Sequence, residues 1–278
     1  MMVNFLIGFG IPNWAWDILA LVITFVILLL LIRINDILRK RQIIPIYVSR
    51  KVIHIFAAPI FLVSWLLFSG DYYSRYFAAV VPLLFAILFI AIGTGLVKNE
   101  EFVNTMSREG TPRELLKGTL FYTIIMVLSC IFFWYVPVDG TFQANWSLFI
   151  PTAVLIFGPL AGGDGFADMI GRRFGKRKFH IFADKSLIGT LAMFVFSLFA
   201  TLGLLFVFWI ALDPLWMSVN VSALIIPIII VCIVCTLIEM FSPRNFDNLL
   251  IPLFAVITIF VLAFFGLYTY PIWHIGPL

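Results

Sequence analysis

Residues 158–190 read GPLAGGDGFADMIGRRFGKRKFHIFADKSLIGT, and they interrupt a chain that is otherwise almost continuously apolar. Two carboxylates in this stretch, Asp164 and Asp168, stand four residues apart and would share one face of a helix. Six Lys or Arg residues follow between 172 and 185. The glycines, which let backbone N–H groups approach a ligand, are Gly162, Gly163, Gly165, Gly171 and Gly175. Carboxylates for a metal and donors for phosphate oxygens together predict a site for a magnesium-bound polyphosphate.

The sequence on either side is apolar enough to require a bilayer as its solvent. Of the 278 residues, 63% are hydrophobic and only 12% are charged, with a mean hydropathy of +1.12. Apolar stretches of roughly 20 residues, the length that crosses a ~30 Å hydrocarbon core, recur near 14–33, 52–69, 77–97, 118–138, 147–170, 187–212, 219–241 and 249–270. We therefore predict a single domain over 1–278, an all-α, polytopic integral membrane bundle of about eight transmembrane helices.

The fifth of these stretches is irregular. Pro151, Pro159 and the glycines of 162–165 interrupt it just before the acid pair. Non-helical backbone at membrane depth is tolerated only where it is buried in protein or lines a wet cavity. We therefore predict that the fifth helix is broken at the polyphosphate site.

The basic residues predict how the bundle is oriented. Seventeen of the eighteen Lys and Arg residues lie in 33–51, 98–117 and 172–185 or at Arg244, and Arg75 is the exception. With eight spans these segments share one side, which the positive-inside rule makes cytoplasmic. Both termini would then lie outside, and the polar site would face the cytoplasm. The net charge of +4 does not gather on one face, so we predict a lipid bilayer and no nucleic acid as a partner.

Further polar residues stand at the inner ends of the predicted spans. Arg50 and His54 would share a helix face beside Lys51, either turned into the bundle or acting as snorkelling cations and a cap. Residues 111–114, Thr-Pro-Arg-Glu, are typical of a capping box. Lys117 would either anchor the membrane boundary or reach a phosphate.

The seventh and eighth spans carry three more candidates. Glu239 lies inside an apolar run, where an ionisable side chain is costly and marks function. Asp247 and Asn248 begin the last span, where they would cap the helix or help to hold a metal or nucleotide. The three cysteines lie in apolar runs with no metal-ligand spacing, which indicates core thiols.

These residues together resemble the motifs of a known family. GDGFADMIGRRFGK at 163–176, followed by KSLIGT at 185–190, looks like the signature of the CTP-dependent polyprenol kinases, which include dolichol kinase, phytol kinase and CTP-dependent diacylglycerol kinase. Three further segments agree: Arg50-Lys51-x-x-His54, Ser107-Arg108-Glu109-Gly110 with Glu114-Leu-Leu-Lys117-Gly118, and Glu239 with Asp247-Asn248 before Pro252. The resemblance covers residues 50–252, and the SREG…ELLKG loop is most similar to the phytol kinase branch.

The resemblance implies transfer of the CTP γ-phosphate, with Mg²⁺, to a long-chain isoprenoid alcohol or to diacylglycerol. The catalytic residues would be Asp164, Asp168, Lys185 and Glu239, and the first two would bind the metal. Nucleotide or phosphate contacts would come from Arg50, Lys51, Gly163, Gly165, Gly171, Arg172, Arg173, Gly175, Lys176, Ser186, Gly189 and Thr190. Other polar site residues would be His54, Ser107, Arg108, Lys117, Asp247 and Asn248. Because an alcohol is a weak acid, a carboxylate base is expected, with Asp168 and Glu239 as candidates.

Two rival interpretations use the same polar groups. A cytidylyltransferase that makes CDP-diacylglycerol also joins CTP to a membrane lipid, but the Lys-Asp and His-Gly-Gly…Asp-Arg pattern associated with such enzymes is absent. It would release pyrophosphate, whereas a kinase releases CDP. An ion- or proton-coupled transporter would use the buried carboxylates along a broken helix. No inverted repeat is visible, however, and the polar groups gather at one face instead of the midplane.

Overall fold

Long runs of Leu, Ile, Val and Phe form helices here, because a helix satisfies every backbone N–H and C=O group within lipid. The computed structural model describes residues 11–71, 73–107, 110–134, 151–176, 178–180, 184–212, 221–243 and 246–269. Across those ranges, eight helical stretches are long and apolar enough to cross a membrane. The predicted all-α, multi-pass membrane bundle is confirmed. The predicted span residues 135–138, 147–150, 219–220 and 270 lie outside the described ranges.

The described residues form ten α-helices, numbered here in chain order. They are α1 (Asn13–Lys40), α2 (Ile46–Ser64), α3 (Ser74–Gly93), α4 (Glu100–Met106), α5 (Gly118–Phe132), α6 (Thr152–Phe157), α7 (Asp164–Phe174), α8 (Leu187–Leu212), α9 (Val221–Phe241) and α10 (Asp247–Phe264). Short 3₁₀ turns, Trp65–Leu67 and Pro112–Leu116, follow α2 and precede α5. A π-helical segment, Gly158–Gly163, joins α6 to α7.

The first helix extends further than its apolar run predicts. It continues to Lys40 because its polar last turns are held by a buried carboxylate, Asp36. Asp36 accepts hydrogen bonds from Arg39 at 2.7 Å and from the Thr105 hydroxyl of α4 at 2.8 Å. This contact ties the end of α1 to α4, on the side of the bundle that carries the basic segments.

The interruption predicted in the fifth span takes the form of the π-helical segment, not of non-helical backbone. Its glycines let α8 pack closely: a Cβ at Gly163 would lie 2.7 Å from the Met193 sulfur, and one at Gly162 would lie 3.1 Å from the Phe196 carbonyl oxygen. The chain therefore stays helical and buried through Gly163, and Asp164 begins α7 inside the bundle. Helical segments with π hydrogen bonding are frequent at functional sites.

The two ends of the bundle differ in chemistry. Beyond the C-terminal end of α2, Trp65 packs on Trp134 with ring centroids 4.7 Å apart, and Phe68 meets Trp134 edge-on. Each such aromatic pair contributes about 0.5–1.5 kcal/mol beyond its buried area. The N-terminal end of α2 instead carries Arg50, Lys51 and His54. The aromatic cluster closes one end, and polar groups occupy the other.

A short β-hairpin between α7 and α8 was not predicted from the sequence. Its strands, β1 (Lys178–His180) and β2 (Asp184–Ser186), pair antiparallel with Lys178 opposite Ser186. Strands of three residues are too short to show the alternation by which a strand is recognised. The hairpin places Lys178, Lys185 and Ser186 beside α7.

Candidate active site

The acid pair of α7 lines a polar cavity of about 230 Å³ at the basic end of the bundle. The Lys51 ammonium lies 3.1 Å from Asp164 Oδ2 and 3.7 Å from Asp168 Oδ2, so one cation bridges both carboxylates. Asp164 and Asp168 therefore share a helix face, as their spacing predicts. Lys51 and Asp164 are both buried, and this strengthens their mutual attraction.

His54, one turn after Lys51, holds the first carboxylate from the other side. Its Nε2 lies 2.8 Å from the Leu160 carbonyl oxygen and 3.2 Å from Asp164 Oδ2. Both neighbours are acceptors, so Nε2 carries the hydrogen and donates. The Tyr122 hydroxyl donates to the His54 backbone carbonyl at 2.8 Å, and the two rings pack with centroids 4.6 Å apart. His54 is a positioning residue for Asp164.

A second ion pair closes the opposite wall of the polar cavity. The Lys185 ammonium of β2 donates to the Glu239 carboxylate of α9. Burial by itself lowers the pKa of Lys185, but the Glu239 and Asp164 carboxylates outweigh it and raise that pKa above its ordinary value. Lys185 therefore keeps its positive charge throughout the physiological pH range.

The charges around the polar cavity balance. Its described lining includes four cationic side chains, Lys51, Arg172, Lys178 and Lys185, and four carboxylates, Asp164, Asp168, Glu239 and Asp247. The cations are suited to phosphate oxygens, yet the carboxylates equal them in number. A polyphosphate entering this cavity would therefore need additional positive charge.

The donor set fits a magnesium ion shared with a nucleotide. Asp164 and Asp168 supply hard oxygen ligands on one face, and Mg²⁺ is usually held by one or two carboxylates together with substrate phosphates. In the described part of the chain, no three His, Cys, Asp or Glu residues gather into a metal site. These two carboxylates would supply part of a magnesium site, and nucleotide phosphates would supply the remaining ligands.

Two glycines set the floor of the cavity. Gly171 of α7 and Gly189 of α8 face one another, and a Cβ on Gly171 would lie 3.3 Å from the Gly189 Cα. The Ser186 hydroxyl accepts a hydrogen bond from the Gly189 N–H at 3.1 Å and so caps the start of α8. Gly171, Ser186, Gly189 and Thr190 all line the polar cavity.

Other glycines that were predicted to contact phosphate lie elsewhere. Gly163 packs on α8, and Gly165 packs on Ile55 of α2, whose Cδ1 would lie 3.0 Å from an added Cβ. Their N–H groups lie within helical segments, so these two glycines serve helix packing and do not line the cavity. Gly175 ends α7 against the Gly171 carbonyl and Ser186.

Several predicted cations also lie away from the polar cavity. Arg50 pairs with Glu114 and does not line that cavity. Glu114 is therefore an ion-pair partner, and Thr111 makes no side-chain cap, so the predicted capping box is wrong. Arg173 is exposed, with its guanidinium 5.4 Å from the Phe174 ring centroid. Lys176 is also exposed and outside the cavity lining.

The remaining predicted polar residues lie between α4 and α5 or at the start of α10. Lys117 is exposed and Ser107 is buried, and neither lines the polar cavity. Arg108 lies outside the described residues. Asp247 lines the polar cavity, whereas Asn248 turns away and donates to the Gly118 carbonyl at 2.8 Å.

The site prediction omitted two lining residues, Ala167 and Lys178. Ala167 lies between the acidic residues and carries no chemical signal of its own. Lys178 is one of several adjacent basic residues, and only the hairpin pairing with Ser186 distinguishes it from its neighbours.

We expect Gly189→Ala to damage the site while Gly203→Ala does not. A Cβ at Gly189 would lie 3.0 Å from Ser186 Oγ and 3.1 Å from the Ala167 carbonyl, which forces α7 and α8 apart. At Gly203 of the same helix nothing lies within 4 Å, and alanine there should stabilise by up to about 1 kcal/mol. Thermal unfolding and nucleotide affinity measured on both purified variants check this, and equal behaviour of the two would contradict it.

The structure thus combines a polytopic membrane bundle with an acid pair and clustered cations around a cavity at one end, an arrangement suited to a phosphorylated ligand. The chain is 38% identical over 176 residues to a probable chloroplastic phytol kinase 1 of Glycine max, covering 63% of this chain and 54% of that relative. It is 32% identical over 235 residues to a probable chloroplastic phytol kinase of Triticum aestivum, covering 84% and 73%. It is also 32% identical over 226 residues to the chloroplastic phytol kinase 1 of Arabidopsis thaliana, covering 81% and 69%.

This protein therefore belongs to the phytol kinase family, in agreement with the branch that its motifs resemble. It spans about half the length of the soybean relative and over two thirds of the wheat and Arabidopsis relatives. No family profile matches the chain. No solved structure matches it either.

Proposed function

We propose that this protein is a CTP-dependent, magnesium-dependent kinase that phosphorylates the hydroxyl of a long-chain isoprenoid alcohol, with phytol as the first candidate. The observation that carries the proposal is the acid pair Asp164 and Asp168, bridged by Lys51 in a cavity with three further cations. Membership of the phytol kinase family supports the alcohol acceptor. The resemblance to CTP-dependent polyprenol kinases supports CTP as the donor.

The proposed reaction is an in-line displacement at the γ-phosphorus. The acceptor oxygen forms a bond to phosphorus, the bond between that phosphorus and the β–γ bridging oxygen breaks, and CDP leaves. The hydroxyl proton passes to a carboxylate, for which Asp168 and Glu239 are the candidates. Bound Mg²⁺ would neutralise phosphate charge, while Lys51, Arg172 and Lys185 orient the phosphate oxygens.

The proposed orientation puts the polar cavity on the cytoplasmic side with both termini outside. The cavity lies at the end of the bundle that carries the basic segments, including Arg39, Lys40, Lys117 and Arg172. Such segments stay on the cytoplasmic face during insertion. A site at the membrane boundary lets an acceptor keep its hydrocarbon tail in lipid while its hydroxyl reaches a soluble nucleotide.

The decisive experiment follows label from CTP into lipid with the purified protein in detergent. CTP and ATP, each labelled at either the α or the γ position, are offered with phytol, geranylgeraniol, a polyprenol or diacylglycerol. We expect γ-label to move from CTP into an isoprenoid alcohol, with release of CDP. Incorporation of α-label with release of pyrophosphate would indicate a cytidylyltransferase. Absence of turnover with every acceptor would overturn the kinase proposal and favour the transporter interpretation.

We expect removal of divalent metal to abolish this transfer. With EDTA the rate should fall by about a hundredfold or more, because the cations of the cavity are already offset by carboxylates. Added Mg²⁺ should restore the rate. A rate that EDTA leaves unchanged would show that the protein cations alone neutralise the nucleotide.

A further inference from the structure

A second, smaller cavity of about 70 Å³ lies beside the polar cavity, and α2 contributes to the lining of both. Most of its described lining is apolar and comes from α1, α2, α3 and α5, including Leu28, Ile53, Phe85, Phe89 and Met126. Its polar lining includes Arg50, His54 and Asn248. The proposed function leaves this apolar cavity without a role.

At two places in the fold, consecutive residues line different cavities. On α2, Lys51 lines the polar cavity and Arg50 lines the apolar one; on α10, Asp247 and Asn248 divide in the same way. Consecutive residues of a helix project about 100° apart, so one layer of side chains separates the cavities. His54 belongs to that layer, since it lines the apolar cavity while its Nε2 lies 3.2 Å from Asp164 Oδ2.

Asn248 carries an unsatisfied hydrogen-bond acceptor in this layer. The residue is 5% exposed, and its amide nitrogen donates to the Gly118 carbonyl at 2.8 Å, which fixes the orientation of the amide. Among the described residues no donor reaches its Oδ1. A buried acceptor left in this state costs about 1–3 kcal/mol. A ligand hydroxyl is a donor that would remove this cost.

Three other polar groups of the apolar cavity have partners already, and Thr119 also lines it. Arg50 pairs with Glu114, and the Tyr122 hydroxyl donates to the His54 carbonyl. The Thr123 hydroxyl donates to the Leu120 carbonyl at 2.9 Å. A ligand with one hydroxyl and an otherwise apolar body matches this cavity, because its lining is mainly apolar and Asn248 Oδ1 can still accept a hydrogen bond. A free phosphate or a nucleotide does not match it, because the lining is mainly apolar.

We propose that the apolar cavity binds the hydroxyl-bearing end of the isoprenoid acceptor, with Asn248 Oδ1 accepting its hydrogen bond. Phe85, Phe89 and Met126 would contact the first branched carbons, and the small volume would exclude the rest of the chain, which stays in lipid. In this resting position the hydroxyl would lie one side-chain layer from the acid pair, and it would have to pass His54 into the polar cavity before transfer. This inference rests on the proposed kinase function and names the acceptor subsite of the same site.

The first test fills the apolar cavity without touching the polar one. Ala57 lines the apolar cavity and is half-buried, so Ala57→Phe should occupy the space of the acceptor. We expect KM for the alcohol to rise at least about tenfold while KM for CTP changes less than about twofold. Ala211→Phe, at an exposed position of α8, is the matched control and should change neither constant.

A second test uses the wild-type protein and requires no turnover. A diazirine analogue of geranylgeraniol, with the photoreactive group near the hydroxyl, is cross-linked and the labelled peptides are sequenced. Label at Phe85, Phe89 or Met126 that excess phytol prevents supports the acceptor subsite. Label confined to other segments overturns it.

Different results would contradict the acceptor subsite and the kinase function. If the wild type transfers γ-phosphate to an alcohol but Ala57→Phe keeps the wild-type KM for that alcohol, the subsite is wrong and the kinase function stands. If the wild type transfers phosphate to no alcohol, the proposed function itself is wrong.

Discussion

Asp164→Asn is expected to lower kcat/KM for phosphoryl transfer by at least about a hundredfold. The substitution removes the carboxylate that lies nearest to Lys51 and that His54 also contacts, and with it half of the proposed metal-binding pair. It also leaves the buried Lys51 ammonium dependent on Asp168, 3.7 Å away, so a moderate fall in thermal stability should accompany the loss.

The measurement compares label transfer and thermal unfolding for Asp164→Asn with those for Glu100→Gln. Glu100 is an exposed acidic residue in the first turn of α4, and its variant should keep wild-type activity within about twofold. A folded Asp164→Asn protein with wild-type turnover would remove the acid pair from the proposed mechanism. A loss that higher Mg²⁺ partly reverses would connect Asp164 directly to the metal.

A double-mutant cycle on Lys185 and Glu239 should show that the two residues affect stability and activity differently. Lys185→Met leaves Glu239 buried without its partner, which should cost about 3–5 kcal/mol in the free energy of unfolding. Adding Glu239→Leu should recover most of this stability, because two apolar side chains then replace the buried pair. Transfer activity and CTP affinity should stay low in the double variant, because the cation that faces the phosphates is still absent and a candidate base has been removed with it.

The control for this cycle is the pair formed by Lys40 and Glu101, whose side chains are 47% and 50% exposed. Glu101→Gln should change stability by less than about 1 kcal/mol and leave transfer unchanged. If the Lys185→Met/Glu239→Leu protein recovered activity together with stability, the pair would be structural only. Lys185 would then have no role toward the nucleotide.

Features that depend on local spacing could be predicted from the sequence. Eight apolar runs of spanning length are a property of the chain itself, because lipid admits few alternatives to helices. The shared face of Asp164 and Asp168 follows from helical geometry alone, and Lys51 confirms it by contacting both. These predictions needed no knowledge of which helices are neighbours.

Features that depend on which helices are neighbours could not be predicted in this way. Arg50 was predicted to bind phosphate, but in the structure it pairs with Glu114, which lies sixty-four positions further along the chain. Gly163 and Gly165 looked like open backbone, but α8 and α2 cover them. In each case the sequence shows the residue type and the packing decides which group it meets.

The π-helical segment has a consequence for the phase of the fifth span. A π turn holds about one residue more than an α turn, because its hydrogen bonds run from i to i+5. One residue of offset rotates everything that follows by about 100° about the helix axis. The faces of α6 and α7 are thus set independently, so that α6 is buried in the apolar interior while the acid pair of α7 is turned toward Lys51. Within one continuous span, α6 is therefore buried on every side, whereas α7 presents a polar face to the cavity.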